Sequence, residues 1–215
     1  RPLLKHSSVI IKYFALAALA FFCFLMLQII ARYIPFDTDV AFLQISKNID
    51  NLAWLSAFYI HVFSSIFALA AGFTQFSNRI RTHRPRLHRA IGRAYVIDIL
   101  LITGPAGFLM AFYANGGTTS RAAFIILSIL WWAFTYLAYR AARHRDFAAH
   151  RRWILRSFAL TLSAITLRLW KMLIAHYFEL PPMDLYRLVA WLGFIPNLLV
   201  IEWFIRSKYK PAFSK

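Results

Sequence analysis

The sequence predicts an all-α, polytopic bundle of six transmembrane helices with both termini cytoplasmic. Three observations carry that expectation. The 215-residue chain is 60% apolar and only 15% charged, whereas soluble domains hold about 45–50% apolar and about 25% charged residues. It contains six apolar runs, each close to the roughly 20 residues that a helix needs to cross about 30 Å of hydrocarbon. Its lysines and arginines gather in alternate connections between those runs, the pattern of loops retained on the cytoplasmic side.

The first run, Val9 to Ile30, follows Arg1, Lys5 and Lys12 and so resembles a secretory signal. Its apolar stretch is too long for one and no small-residue cleavage site follows, so it is read as a spanning helix. A long connection, 31–51, offers enough chain for a small cap before the second run, Leu52 to Phe76. The third, Ala90 to Tyr113, contains Gly104 and Pro105, which should kink it and free backbone carbonyls near mid-membrane. Asn115, Gly116 and Gly117 tolerate positive φ and predict a tight turn into the fourth and shortest run, Ala122 to Tyr139. Trp131 and Trp132 lie in the middle of that run and therefore read as bundle packing rather than as an interfacial belt. The fifth run is Trp153 to Phe178, and the sixth, Leu185 to Ile205, carries a second predicted kink at Pro196 and Asn197. Neither a repeat nor a composition break divides the chain, so residues 1–215 are read as a single integral membrane domain.

Twenty-five Lys and Arg against eight Asp and Glu give a formal charge of +17. In a soluble protein that excess would suggest nucleic acid, but the basic loops here lack the interleaved aromatics of a base-stacking surface. Nineteen of the 25 cations fall in the N-terminal segment, the second and fourth connections and the C-terminal tail, while Asp37, Asp39, Asp50, Glu179 and Asp184 occupy the other connections. The partners implied are anionic lipid head groups. The lone Cys23 excludes an internal disulfide.

Ionisable and polar residues inside a bilayer are costly and mark candidate sites. On the second helix His61, Ser65, Ala68, Gly72 and Gln75 recur at helical spacing, as do His150, Ser157, Thr161, Ala164 and Arg168 on the fifth and His88, Gly92, Tyr95 and Ala106 on the third. Small and hydroxyl residues of this kind equally serve ordinary helix packing. His61 and Arg168 lie at matching depths, each about 13–15 Å from the outer end of its helix. An arginine so placed calls for a carboxylate or carbonyl partner, such as a haem propionate or a quinone oxygen. Asp98 is too near the inner end to be that partner.

His88 and His150 open two helices at the same face, and two neutral imidazoles on facing helices suit the axial ligation of a low-spin b-type haem. An interfacial role beside the neighbouring arginines is the alternative, and a zinc site from His83, His88, His144 and His150 is a weaker one. His176 reads as interfacial. Nucleotide-binding and hydrolase motifs are missing from the sequence, and Asp98 and Glu202 alone are too few acids for a pump built on a carboxylate relay.

The run HRAIGRAYV from His88 to Val96 with Gly104 and Gly107, and the run HRRWILRSFALTLSAITLRL from His150 to Leu169, resemble the bacterial predicted membrane proteins grouped as domain of unknown function 2306. The segment around His61, Gly72, Gln75 and Phe76 and the paired Trp131 and Trp132 are similar to that family as well, so the resemblance covers about His61 to Met172. Ile154 stands where the family usually has Met. The resemblance implies a multi-helix bundle of the bacterial inner membrane with signature histidines at His61, His88 and His150 and signature arginines at Arg93, Arg156 and Arg168, without implying a reaction. A looser analogy to cytochrome b561-type haem proteins rests only on histidines spread over several helices.

The function expected from these residues is electron transfer in or across the bilayer by b-type haem, with quinone as a further cofactor and a redox partner or complex subunits as protein partners. His88 and His150 would ligate the haem iron, while His61 and Arg168 would form a second polar site. The competing expectation is a cofactor-free bundle that binds lipid or a small molecule, or an accessory subunit of a larger membrane complex.

Overall fold

The computed structural model describes residues 2–34, 36, 38, 39, 42, 43, 46 and 48–209, with side chains from Tyr13 onward. Of the residues in the charge count, Arg1, Asp37, Lys47, Lys210 and Lys215 lie outside the described residues, as do the side chains of Lys5 and Lys12. Among the described residues the fold is all-helical: α1 Pro2–Ala31, α2 Leu52–Gln75, α3 Asn78–His83, α4 Pro85–Ile97, a π-helical turn Asp98–Thr103, α5 Gly104–Ala111, α6 Thr118–Arg143, α7 Phe147–Thr161, α8 Ser163–Tyr177, α9 Pro182–Leu192 and α10 Ile195–Lys208. Among the described residues five stretches are long and apolar enough to cross a membrane: Tyr13–Ala31, Leu52–Gln75, Pro85–Ala111, Thr118–Arg143 and Pro182–Lys208. α7 and α8, bent by 41° at Leu162, are long and apolar enough only when taken together, and as one span they are the fifth of six in chain order.

Local chemistry explains where the elements begin and end. Asn51 accepts from Trp54 N at 3.2 Å and so caps α2, and Asp146 accepts from Ala149 N at 2.9 Å at the start of α7. Pro85 opens α4 five residues before the expected start, where its missing N–H costs nothing. Gly116 and Gly117 have φ of +82° and +76°, the left-handed turn that their sequence predicts, and α6 runs on to Arg140 and Arg143, whose charges suit a helix C-terminus.

Three spans are interrupted. In the third, Pro105 has no N–H to return to the preceding turn and its ring excludes the carbonyl there, and the backbone takes up one extra residue as the π turn just before it. In the sixth, the break falls at Gly193 and Phe194, ahead of Pro196. The break of the fifth at Leu162 was not expected from sequence; Asn197 explains how it is held. Its Nδ2 lies 3.0 Å from Ala159 O and 3.0 Å from Thr166 Oγ1, and 3.3 Å from Gly193 O, so one amide joins carbonyls and hydroxyls on both broken spans.

The core gathers Tyr95, Ile99, Trp131, Leu160, Ala190 and Phe194 with Ala68 and Ala71 of α2. A separate aromatic cap covers the N-terminal end of α2, where Tyr33, Leu43, Trp54 and Phe58 are buried together and Trp54 stacks on Phe58 at 5.6 Å. Facing outward are Leu101, Leu199, Val200 and Trp203, all largely exposed, as expected of a surface solvated by acyl chains.

Candidate functional site

Two polar centres lie along the bundle. The first is built where the π turn faces α2. An α-helix stacks residues three and four apart, whereas a π turn brings residues five apart into line. Asp98 and Thr103 are therefore on one face, both buried, while Leu101 and Ile102 between them point outward. Thr103 Oγ1 lies 2.6 Å from Asp98 Oδ1 and 2.5 Å from Ser64 Oγ, and Ser64 Oγ donates to Ile60 O at 2.6 Å. The neighbouring His61 donates from Nδ1 to Thr103 O at 3.0 Å, which leaves Nε2 as the free nitrogen. Gly107 makes room for this imidazole, since a Cβ there would lie 2.8 Å from His61 Nδ1. The Trp132 indole donates to Ile99 O at 3.0 Å and so holds another carbonyl of the π turn.

Arg168 lies within electrostatic range of His61 and of Tyr33, with no direct hydrogen bond to either. Its side chain is exposed and Nη1 donates to Ala164 O of its own helix at 2.6 Å. The carbonyl partner demanded by sequence reasoning is thus partly supplied from within α8.

The second centre lies toward the arginine-rich end. Tyr95 Oη is 2.9 Å from Ser157 Oγ and 2.9 Å from Thr161 Oγ1, which fixes α4 against α7 at that height. His88 precedes Tyr95 by seven positions, while His150 precedes Ser157 by seven and Thr161 by eleven, so the two histidines stand within about one turn of the same height, toward the same end of their helices. They are close enough to sense one another's charge. His150 donates from Nδ1 to Ala138 O at 2.9 Å, leaving Nε2 unbound. His88 Nδ1 is buried and has no hydrogen-bond partner among the described residues. Gln75, packed over Gly92, donates to His88 O at 3.1 Å and steadies the same turn.

The remaining expected residues divide clearly. Arg156 is engaged by the Glu202 carboxylate and lies over the Trp153 ring at 4.6 Å, so it ties α7 to α10. Arg93 is exposed on α4. Ser157 and Thr161 are spent on a closed buried network, with Thr135 Oγ1 2.7 Å from Ser157 Oγ and Trp131 Nε1 donating to Thr161 Oγ1 at 3.1 Å. His83 lies exposed beside Thr82, and exposed His176 packs edge-on to Tyr177. Among the described residues no group of three or more His, Cys, Asp or Glu converges as a metal site, which gives the four-histidine zinc alternative no support. Sequence reasoning missed Asp98, Thr103 and Ser64 as one unit, because a reading at 3.6 residues per turn places Thr103 off the Asp98 face.

The family description "Predicted membrane protein (DUF2306)" matches residues 58–205, well over half of the chain and more than the two sequence motifs span. The chain belongs to the DUF2306 family. No curated protein and no solved structure matches it. The matched region of this DUF2306 protein contains both polar centres and the breaks of all three interrupted spans, while α1 and the connection that follows it lie outside.

Proposed function

We propose that this multi-pass membrane protein is a redox protein of the bacterial inner membrane, holding b-type haem between His88 and His150 and a quinone at the His61 and Arg168 end. The observation that carries the reading is the pair of imidazoles near one height, one with a buried nitrogen that none of the described residues satisfies. Buried polar atoms normally find partners, so an orphan one calls for an explanation, and a bound group is one that fits here. His150 adds the arrangement expected of a ligating histidine, because the Ala138 carbonyl fixes its tautomer and ring plane and leaves Nε2 as the ligand atom. Haem would supply a one-electron couple there. Arg81 and Arg89 place positive charge near His88, and charge of that sign favours the reduced form of a bound redox group. Of the two signature arginines Arg93 and Arg156, exposed Arg93 is the one suited to a propionate, since Arg156 is held by Glu202.

The test is the absorption spectrum of the purified protein. A Soret band with a pyridine haemochrome of b type is expected, lost in His88→Ala and in His150→Ala. No haem absorption in protein expressed with haem supply would end the proposal.

One observation favours the cofactor-free alternative. The Tyr95, Ser157, Thr161, Thr135 and Trp131 network satisfies its own polar atoms, so that stripe needs no ligand. On that reading the histidine variants leave the visible spectrum unchanged and alter the lipid or the partner subunits that copurify.

A further inference from the structure

The carboxyl of Asp98 takes no part in the haem reading, yet it is 5% exposed, lies in the middle of a spanning segment and has an oxygen, Oδ2, without a hydrogen-bond partner among the described residues. No arginine or lysine pairs with it in the described structure. The unpaired Oδ2 decides which form this geometry suits, because the hydroxyls of Thr103 and Ser64 find acceptors in either form. If Asp98 is ionised, Oδ2 carries a share of negative charge with no donor facing it, the costliest arrangement for a buried group. If Oδ1 bears a proton, Asp98 donates to Thr103 Oγ1, Thr103 donates to Ser64 Oγ and Ser64 donates to Ile60 O. Every O–H then has an acceptor, and the atom left over is a neutral carbonyl oxygen.

We propose that Asp98, Thr103 and Ser64 form an intramembrane proton-binding site, with the proton resident on Asp98 and exchanged through the two hydroxyls at Ser64. On release, the Asp98 proton passes to Thr103 Oγ1 as Thr103 passes its own to Ser64 Oγ. Ser64 gives its proton to a water molecule at its half-buried surface, leaving one carboxylate and one hydronium ion. Afterwards the chain runs in reverse, with Ser64 donating to Thr103 and Thr103 to Asp98. Uptake retraces the same steps. The titratable groups facing the carboxyl are few: His61 from α2, through Thr103 O, and Tyr95 from α4. The adjoining parts of α5 and α6 offer none, α6 presenting Trp131 and Trp132. This is a single-proton site, not the multi-carboxylate relay of a pump, and it holds whether or not haem is bound.

Infrared difference spectroscopy of the purified protein in lipid nanodiscs tests it. A protonated carboxylic C=O band is expected at neutral pH, absent in Asp98→Asn and displaced in Thr103→Val, whose hydroxyl is gone while its volume is kept. Exchange of that proton with D2O should slow about tenfold or more in Thr103→Val and in Ser64→Ala, the effect of losing a hydrogen-bonded link. Thr103→Val and Ser64→Ala keep the readout available should Asp98→Asn fail to fold. Absence of a protonated-carboxyl band that depends on Asp98, or a band and an exchange rate unaltered in Thr103→Val, would overturn the proposal.

Discussion

Gly107 shows how closely single residues are fitted in this bundle. Its missing side chain is the space that the His61 ring occupies, with His61 Nδ1 2.8 Å and Cε1 2.9 Å from where a Cβ would stand. Gly107→Ala should therefore push the imidazole off Thr103 O and destabilise the protein by about 1–3 kcal/mol, the usual cost of overpacking. Thermal unfolding in detergent measures it, and Ala106→Gly, one position away, serves as the control for added backbone freedom. Arg156 and Glu202 make a second case. Removing only the acid leaves a cation facing hydrocarbon, so Glu202→Ala should lower the melting temperature, and Arg156→Leu combined with Glu202→Ala should recover most of the loss. Recovery by the double variant separates a structural tie from a ligand-binding arginine.

At the scale of elements, the breaks in three spans do the positioning. The π turn places Thr103 under Asp98, and Asn197 sews the bend of α7 and α8 to the bend of α9 and α10. Asn197→Leu keeps the volume and removes both hydrogen-bond donors, and a loss of about 1 kcal/mol is expected, near the middle of the range for interhelical bonds in membranes. Pro105→Ala should let the register relax toward an ordinary α-helix and separate Thr103 from Asp98. The readout is the infrared carboxyl band, which should shift as it does in Thr103→Val. The proline kinks at 105 and 196 and the glycine turn at 116 and 117 were readable from sequence, because Pro and Gly impose backbone geometry locally. The bend at Leu162 was not, since no Pro or Gly marks it and its cause is an amide on another span. The Asp98 unit was hidden for a related reason: faces assigned at one constant period fail wherever a span changes period.

For the whole molecule, spans were legible from length and apolarity alone, and five stretches plus one bent pair occupy the six predicted positions with ends moved by a few residues. Orientation rests on charge. With the α3 and α4 arginines in the cytoplasm, a cysteine introduced at Ser77 in a Cys23→Ser background should react with an impermeant maleimide only after cells are opened, and one at Asn115 should react in intact cells. What composition could not show was which polar residues meet. Tyr95 fixes α4 against α7 through Ser157 and Thr161, so those two hydroxyls are consumed by packing, while His88 and His150 lie nearer the helix starts on the same two elements.

If the imidazoles of His88 and His150 share one guest, titration of haemin into purified, haem-depleted protein should saturate at a single haem per chain with a low-spin Soret spectrum. That spectrum should be abolished by His88→Ala and by His150→Ala but retained in Asp98→Asn. Haemin that binds equally well to both histidine variants, or fails to bind the unaltered protein, would contradict a shared guest.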